Sequence, residues 1–410
     1  MNPHRDILLH CFHQALEAVN GEQVVRRQLA IKKPEGAVHA VAIGKAAAAM
    51  AQGARTGLGG QLKRALMITR HGHGDEALAH DGRFLCLESD HPLPGEASLA
   101  AGAQLLEFIS ATPPGDTLLF LISGGTSSLV EVLPEGMTLA DLQRINGWLL
   151  GSGLDIQAMN RVRGAVSCIK SGRLRGYLGQ RPAEVWLISD VPGNDPAVIG
   201  SGLLSPPRDS HPPPVLPSGL SGIIQRAMDA QAGGWAQGRK VPVRVLATLE
   251  DACRAAGDAA RSLRCPVTLH GEFLQGEAAE RGAALAHWLR QEGRAPGVHV
   301  WGGETTVTLP ENPGQGGRNQ HLALAAARVL SGCPNVTLLA AGTDGSDGVT
   351  LATGALVDGG TWDRIRAQGL DPDQALATAN AHPCLQASGD LLTTGPTGTN
   401  VMDLVIAHIS

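Results

Sequence analysis

Two cations stand where this chain could dock a phosphate or a carboxylate. Lys45 follows Gly44 between the apolar run 38–43 and an Ala-rich helical stretch, so free backbone N–H groups and a point charge meet at one helix start. This is not a Walker A loop: His39 stands at the first glycine position of GxxxxGK, and Ala46 replaces its Ser or Thr. A lysine that merely snorkels at a helix start is the alternative reading. Arg318 is delivered by GQGG to the start of an amphipathic helix, where a forked guanidinium could stabilise charge on a transferring phosphoryl group.

Hydroxyl, amide and glycine residues supply candidate anion contacts. In SGGTSS, Gly124 and Gly125 free backbone N–H groups beside Ser123, Thr126 and Ser127, although an ordinary tight turn has the same composition. A helix expected over about 155–170 would carry Asn160, Arg163, Ser167 and Lys170 on one face, a cationic stripe suited either to an anionic ligand or to solvent. The loop TTGPTGTN adds Thr397 and Asn400. Carboxylates mark three more loops, with Asp190 and Asp195 in SDVPGND, Glu304 in GGETT, and Asp344 with Asp347 in GTDGSDG. Hard oxygen ligands of this kind could hold magnesium, which takes one or two carboxylates and completes its shell with water and substrate oxygens. Asp190, Glu304 and Asp344 are the candidates for that ion or for a general base.

The elements that must position these residues read as a βα alternation. Apolar runs at 38–43, 118–122, 185–188, 298–301 and 336–340 each stop at Gly, Ser, Thr or Asp before a helix-compatible stretch. In open parallel sheets the loops at the carboxyl ends of the strands form the ligand crevice, which puts the candidate residues where chemistry is expected. The stretch 203–219 carries six prolines and reads as an extended connection, and 231–240 is a second soft spot. The expected architecture is therefore two α/β lobes with mostly parallel sheets and a cleft between them. Domains are placed at 1–220 and 221–410, with the boundary within 205–240.

Composition excludes several classes. Lys plus Arg total 33 against 38 Asp plus Glu, a net charge of -5 that leaves no broad basic surface for nucleic acid. The seven cysteines show no CxxC pair, which argues against a disulfide framework or zinc site and fits a reducing cytoplasm. No run approaches the roughly 18 uninterrupted apolar residues of a membrane span. The segment HGHGDEA at 71–77 contains GxGxxA after an apolar run, but glycine at 82 cuts the following helix short, so a dinucleotide fingerprint is not expected. His71 and His73 lack a third ligand nearby in sequence and read as surface residues.

Together, GKA at 44–46, SDHPLPGE at 89–96, NRVRGAVSCIKSGRL at 160–174, SDVPGNDPAVIGSG at 189–202, GGETTVTLP at 302–310, GGRNQHLALAAA at 316–327, AGTDGSDGVT at 341–350 and TGPTGTNVMDL at 394–404 resemble the class II glycerate 2-kinases, whose C-terminal part is the MOFRL domain. The resemblance spans nearly the whole chain. It implies a Rossmann-like N-terminal lobe, a C-terminal MOFRL lobe, and transfer of the γ-phosphoryl of ATP, with magnesium, to the 2-hydroxyl of D-glycerate. It places catalytic roles on Lys45 and Arg318, the positions matching GKA and GGRNQ. The chain departs from the family's usual form at SGGTSS and at Asn194, where a second acid is common. Phosphoryl transfer needs positioning and charge neutralisation, which glycine loops, cations and magnesium carboxylates supply. Positive side chains of the two lobes are accordingly expected to converge on the triphosphate, with SGGTSS and the 160–170 stripe binding glycerate or phosphates. Which carboxylate takes the glycerate proton is left open, and a homo-oligomer is compatible with the sequence. The family's older label, hydroxypyruvate reductase, sets the rival reading of an NAD(P)H-dependent enzyme. A two-lobed periplasmic-type binding protein is a third, for which the N-terminus offers no secretory signal.

Overall fold

The computed structural model describes residues 3–206, 213–214, 216–231, 238–291 and 295–410, without the side chains of Pro3, Leu150 and Ile156. The expected extended connection at 203–219 and the soft spot at 231–240 lie partly outside the described residues. The chain divides into two compact units, one of Asn20–Ala247 and one of Met1–Val19 with Thr248–Ser410.

The first unit holds a six-stranded parallel sheet of β1 (Val38–Ile43), β2 (Leu62–Arg70), β3 (Phe84–Ser89), β4 (Thr117–Ile122), β5 (Ala183–Ile188) and β6 (Val243–Ala247), in the order β3-β2-β1-β4-β5-β6. This is the doubly wound Rossmann order, with its switch point between β1 and β4. Every residue of β1 and β4 is buried, as continuous apolar runs covered on both faces require. Strand β6 lies beyond the boundary expected at 205–240 and pairs with β5, so the parallel sheet carries its unit on to Ala247.

The second unit gathers β7 (Val267–Leu269), β8 (Leu274–Glu277), β9 (Gly297–Thr306), β10 (Val336–Gly342), β11 (Gly354–Asp358), β12 (Leu391–Leu392) and β13 (Asp403–Ile409). Its order is β12-β11-β10-β13-β9-β7, with β8 paired to β9. Here the expectation of a mostly parallel sheet is corrected. Strands β9 and β10 do run the same way around the helix Arg318–Leu330, but β13 inserts between them antiparallel to both, and β11 returns antiparallel to β10. The N-terminal helix Pro3–Val19 belongs to this unit, packing on β13 and the helix Leu249–Ser262.

Candidate active site

In the parallel-sheet unit the strand-end loops on both sides of the switch point are welded together. The backbone N–H of Lys45 donates to the Gly124 carbonyl at 2.9 Å and that of Ala46 to Ser123 Oγ at 3.0 Å, while Thr126 Oγ1 donates to the carbonyls of Ile43 and Ser123. Gly44 adopts φ +126°, and a Cβ there would lie 2.2 Å from Ser123 Oγ, so only glycine allows this approach. Ser123 and Thr126 are fully buried and spend their hydroxyls on this weld. Gly125 and Ser127 instead face a cavity of about 190 Å³ at the carboxyl ends of the strands.

Asn160, Arg163, Asp190, His91 and Ser201 also line that cavity. Ser127 Oγ pairs with Ser201 Oγ at 2.7 Å, and Ser201 Oγ donates to Asn160 Oδ1 at 3.0 Å, forming one hydrogen-bonded wall. Arg163 is half-buried and makes no hydrogen bond or ion pair among the described residues. Burial holds its pKa below the ordinary arginine value, with Glu131 opposing that shift. A partly desolvated guanidinium in this state favours an anion beside it. Lys45 joins the same edge: its Cγ and the Cδ2 of His91 both lie 3.3 Å from where a Cβ on Gly125 would sit. Asp190 is the one carboxylate among the described residues that lines the cavity.

The expected stripe is broken. Its helix spans Ile156–Ala165, so Asn160 and Arg163 keep their helical face while Ser167 and Lys170 lie in the turn beyond. Lys170 is fully buried, with Nζ 2.6 Å from Glu131 Oε2, and Ser167 Oγ donates to Glu131 Oε1 at 2.5 Å. Burial pushes the lysine pKa down and Glu131 pushes it back. This lysine is a structural charge and does not reach the cavity lining.

In the mixed-sheet unit Arg318 opens the helix Arg318–Leu330 as expected. Its Nε donates to Asp403 Oδ2 at 2.5 Å and its Nη2 to Asp403 Oδ1 at 3.0 Å, while Nη1 lies 2.8 Å from Glu304. Strand β9 runs on through Glu304 because β8 pairs with 303–306, so Glu304 sits in a strand rather than in the expected loop. The register Asp403↔Gly303 brings the two carboxylates to one guanidinium. Burial lowers the pKa of Arg318, but Asp403 and Glu304 outweigh it and the net shift is upward. Asp347 caps the same helix from outside, accepting the backbone N–H of Asn319 at 3.1 Å and of Gln320 at 2.9 Å. Burial still pushes its carboxyl up to about 6.

The remaining candidates lie in loops of this unit. Thr397 donates to the Thr343 carbonyl at 2.5 Å, Asn400 is buried, and Asp344 Oδ1 accepts from Ser346 N and Oγ. Asp344 Oδ1 and Asp403 Oδ1 each lie 3.5 Å from the position of a Cβ on Gly342. Among the described residues no three His, Cys, Asp or Glu side chains form a metal-binding group. Glu304 is engaged by Arg318, so the donor set fits an ion held by a single carboxylate, Asp190 or Asp344, and otherwise by substrate oxygens. The GxGxxA loop is also accounted for: the N–H groups of Gly72 and Gly74 donate to the Glu88 carboxylate at 3.1 and 2.9 Å, and the helix after it, Glu76–Ala79, is four residues long.

Comparison with known proteins adds to this geometry. Residues 7–212 match a domain of unknown function, DUF4147, and residues 297–403 match the MOFRL family. The chain is 33% identical to the D-glycerate 2-kinase of Thermotoga maritima, over 99% of this chain and 98% of that one. The chain belongs to the MOFRL-type glycerate 2-kinase family. A crystal structure of a Thermotoga maritima glycerate kinase superposes with a TM-score of 0.86 at 32% identity, covering 100% of both chains. The reductase label also survives among relatives: an Agrobacterium vitis protein, 35% identical over 98% of this chain and 93% of its own, is named provisionally as a hydroxypyruvate reductase.

Within this glycerate 2-kinase fold His91 lines the cavity without having been singled out from the sequence. It lies in the loop after β3, and the strand-end rule would have found it had Phe84–Ser89 been read as a strand. That run alternates partly exposed residues at the sheet edge and lacks the continuous apolar signal of β1 or β4. Among the described residues no helix is long and apolar enough to cross a membrane.

Proposed function

We propose that this protein transfers the γ-phosphoryl group of ATP to the 2-hydroxyl of D-glycerate, giving 2-phosphoglycerate and ADP. The observation that carries this reading is the small cavity at the switch point, where a guanidinium without an ion pair among the described residues meets a hydroxyl and amide wall and the Asp190 carboxylate. A three-carbon hydroxy acid suits that set. Arg163 binds its carboxylate, and Asn160 and Ser127 orient its hydroxyls. Asp190 accepts the proton of the attacking 2-hydroxyl as the new O–P bond forms and the bond to the β,γ-bridging oxygen breaks. Lys45 supplies positive charge to the transferring group, and Arg318, oriented by Asp403, is assigned the same task. The buried hydroxyls of Ser123 and Thr126 shape the loop without touching substrate. Thr397 and Asn400 are assigned to the nucleotide phosphates. Asp190 and Asp344 are the carboxylates that fit magnesium, which would neutralise phosphate charge when bound.

The GxGxxA segment lends the reductase reading no support, because its glycine N–H groups already hold Glu88. The test is ADP release with D-glycerate, ATP and magnesium, followed by phosphorus NMR of the product. The reading expects 2-phosphoglycerate at turnover rates. Oxidation of NADH by hydroxypyruvate at enzymatic rates, without ADP release, would overturn it.

A further inference from the structure

A second cavity, of about 460 Å³, lies within the mixed-sheet unit beside Arg318. Its volume falls in the roughly 300–1,000 Å³ range of small-molecule sites. Apolar side chains, among them Val307, Leu309, Pro313 and Val349, share its lining with glycine backbone from GQGG and from Gly348. The glycines are there for closeness. A Cβ on Gly317 would lie 2.3 Å from the Asp347 carboxyl carbon, and one on Gly314 would lie 2.3 Å from the Cβ of Asn380.

The charges around this cavity are already engaged. Arg318 is held by Asp403 and Glu304, and the first N–H groups of its helix are taken by Asp347. The helix start is thus no anion site, although it stands next to a residue assigned to phosphoryl transfer. Three features instead ask for a neutral, flat, partly apolar ligand. His321 lines the cavity, is 5% exposed, and its buried Nδ1 has no hydrogen-bond partner among the described residues. Burial lowers its pKa, so the ring is neutral near pH 7 and offers one donor and one acceptor. Leu309 and Val349, also in the lining, are 64% and 87% exposed, apolar surface that a ligand would cover.

Resting on the kinase reading above, we infer that this cavity takes the purine base and ribose of the nucleotide, with His321 hydrogen-bonding the edge of the base and Leu309 and Val349 covering its face. The base then sits in an apolar slot with its phosphates leading toward Arg318.

The test uses the full chain, with ATP, inorganic triphosphate and D-glycerate as probes in calorimetry, beside steady-state kinetics. The double variant Leu309→Asp, Val349→Asp changes only exposed positions, so folding is retained. ATP affinity is expected to fall about tenfold, with triphosphate and D-glycerate binding unchanged within about twofold. His321→Leu shows a similar loss for ATP, and His321→Asn, which keeps a neutral hydrogen-bonding group, recovers most of it. If the wild type releases ADP with D-glycerate but the double variant binds ATP normally, the pocket assignment is overturned and the kinase reading stands. If ATP and triphosphate weaken equally, the cavity does not read the base. If the wild type neither binds ATP nor releases ADP, both readings fall together.

Discussion

The two cavities differ in how the surrounding charge is used, and the functional reading proposed above gives each of them a different ligand. At the switch point of the parallel sheet, Arg163 lines a small polar space and makes no ion pair among the described residues, with Glu131 acting on its charge only from a distance. In the mixed-sheet unit, Arg318 lines a larger apolar space and is clamped by Asp403 and Glu304. A half-buried cation without a direct ion pair favours an anion beside it, whereas a clamped one keeps its geometry and leaves an apolar slot free for a neutral ring. Lys170 marks a third use of charge, buried against Glu131 for structure alone.

These three uses predict effects of different kind and size. Glu131→Ala strands the Lys170 ammonium in the core, so the unfolding free energy measured in urea should fall by about 3–5 kcal/mol. A smaller drop, below about 1 kcal/mol, would mean that water reaches the lysine. Arg318→Ala should lower kcat about a hundredfold or more and also destabilise the protein by about 1–3 kcal/mol, because it leaves the buried Asp403 carboxylate unpaired. Lys45→Ala should lose a comparable factor in kcat, and a near-normal kcat in steady-state assays would remove it from the mechanism.

The smallest effect concerns pH. The Asp347 carboxyl is raised by burial to about 6, so its ionisation opposes folding. Relative to Asp347→Asn, the wild type should be most stable below about pH 4 and lose that advantage as pH rises through about 6. A stability difference that does not change across that window would show that the four donors of Asn319 and Gln320 hold the carboxylate ionised throughout.

The strands and their terminal loops were legible because β1, β4 and β10 are continuous apolar runs that end at glycine or a hydroxyl residue. Pairing partners were not. The apolar run of β13 carries no mark that it inserts between β9 and β10, and without that register the meeting of Glu304 and Asp403 on Arg318 cannot be foreseen. The polar stripe misled for a local reason. Ser167 Oγ accepts the backbone N–H groups of Ile169 and Lys170, an alternative to helical bonds that lets the chain turn away after Ala165. Glu131, the partner of Lys170, lies in a segment with no periodic signal pointing to it.

The assignment of the acid substrate to the switch-point cavity is tested most directly by titrating D-glycerate, without nucleotide, into the wild type and into Arg163→Ala. Binding to the wild type that weakens at least about tenfold in the variant is the predicted result. Equal affinity in the two proteins would place the glycerate carboxylate elsewhere.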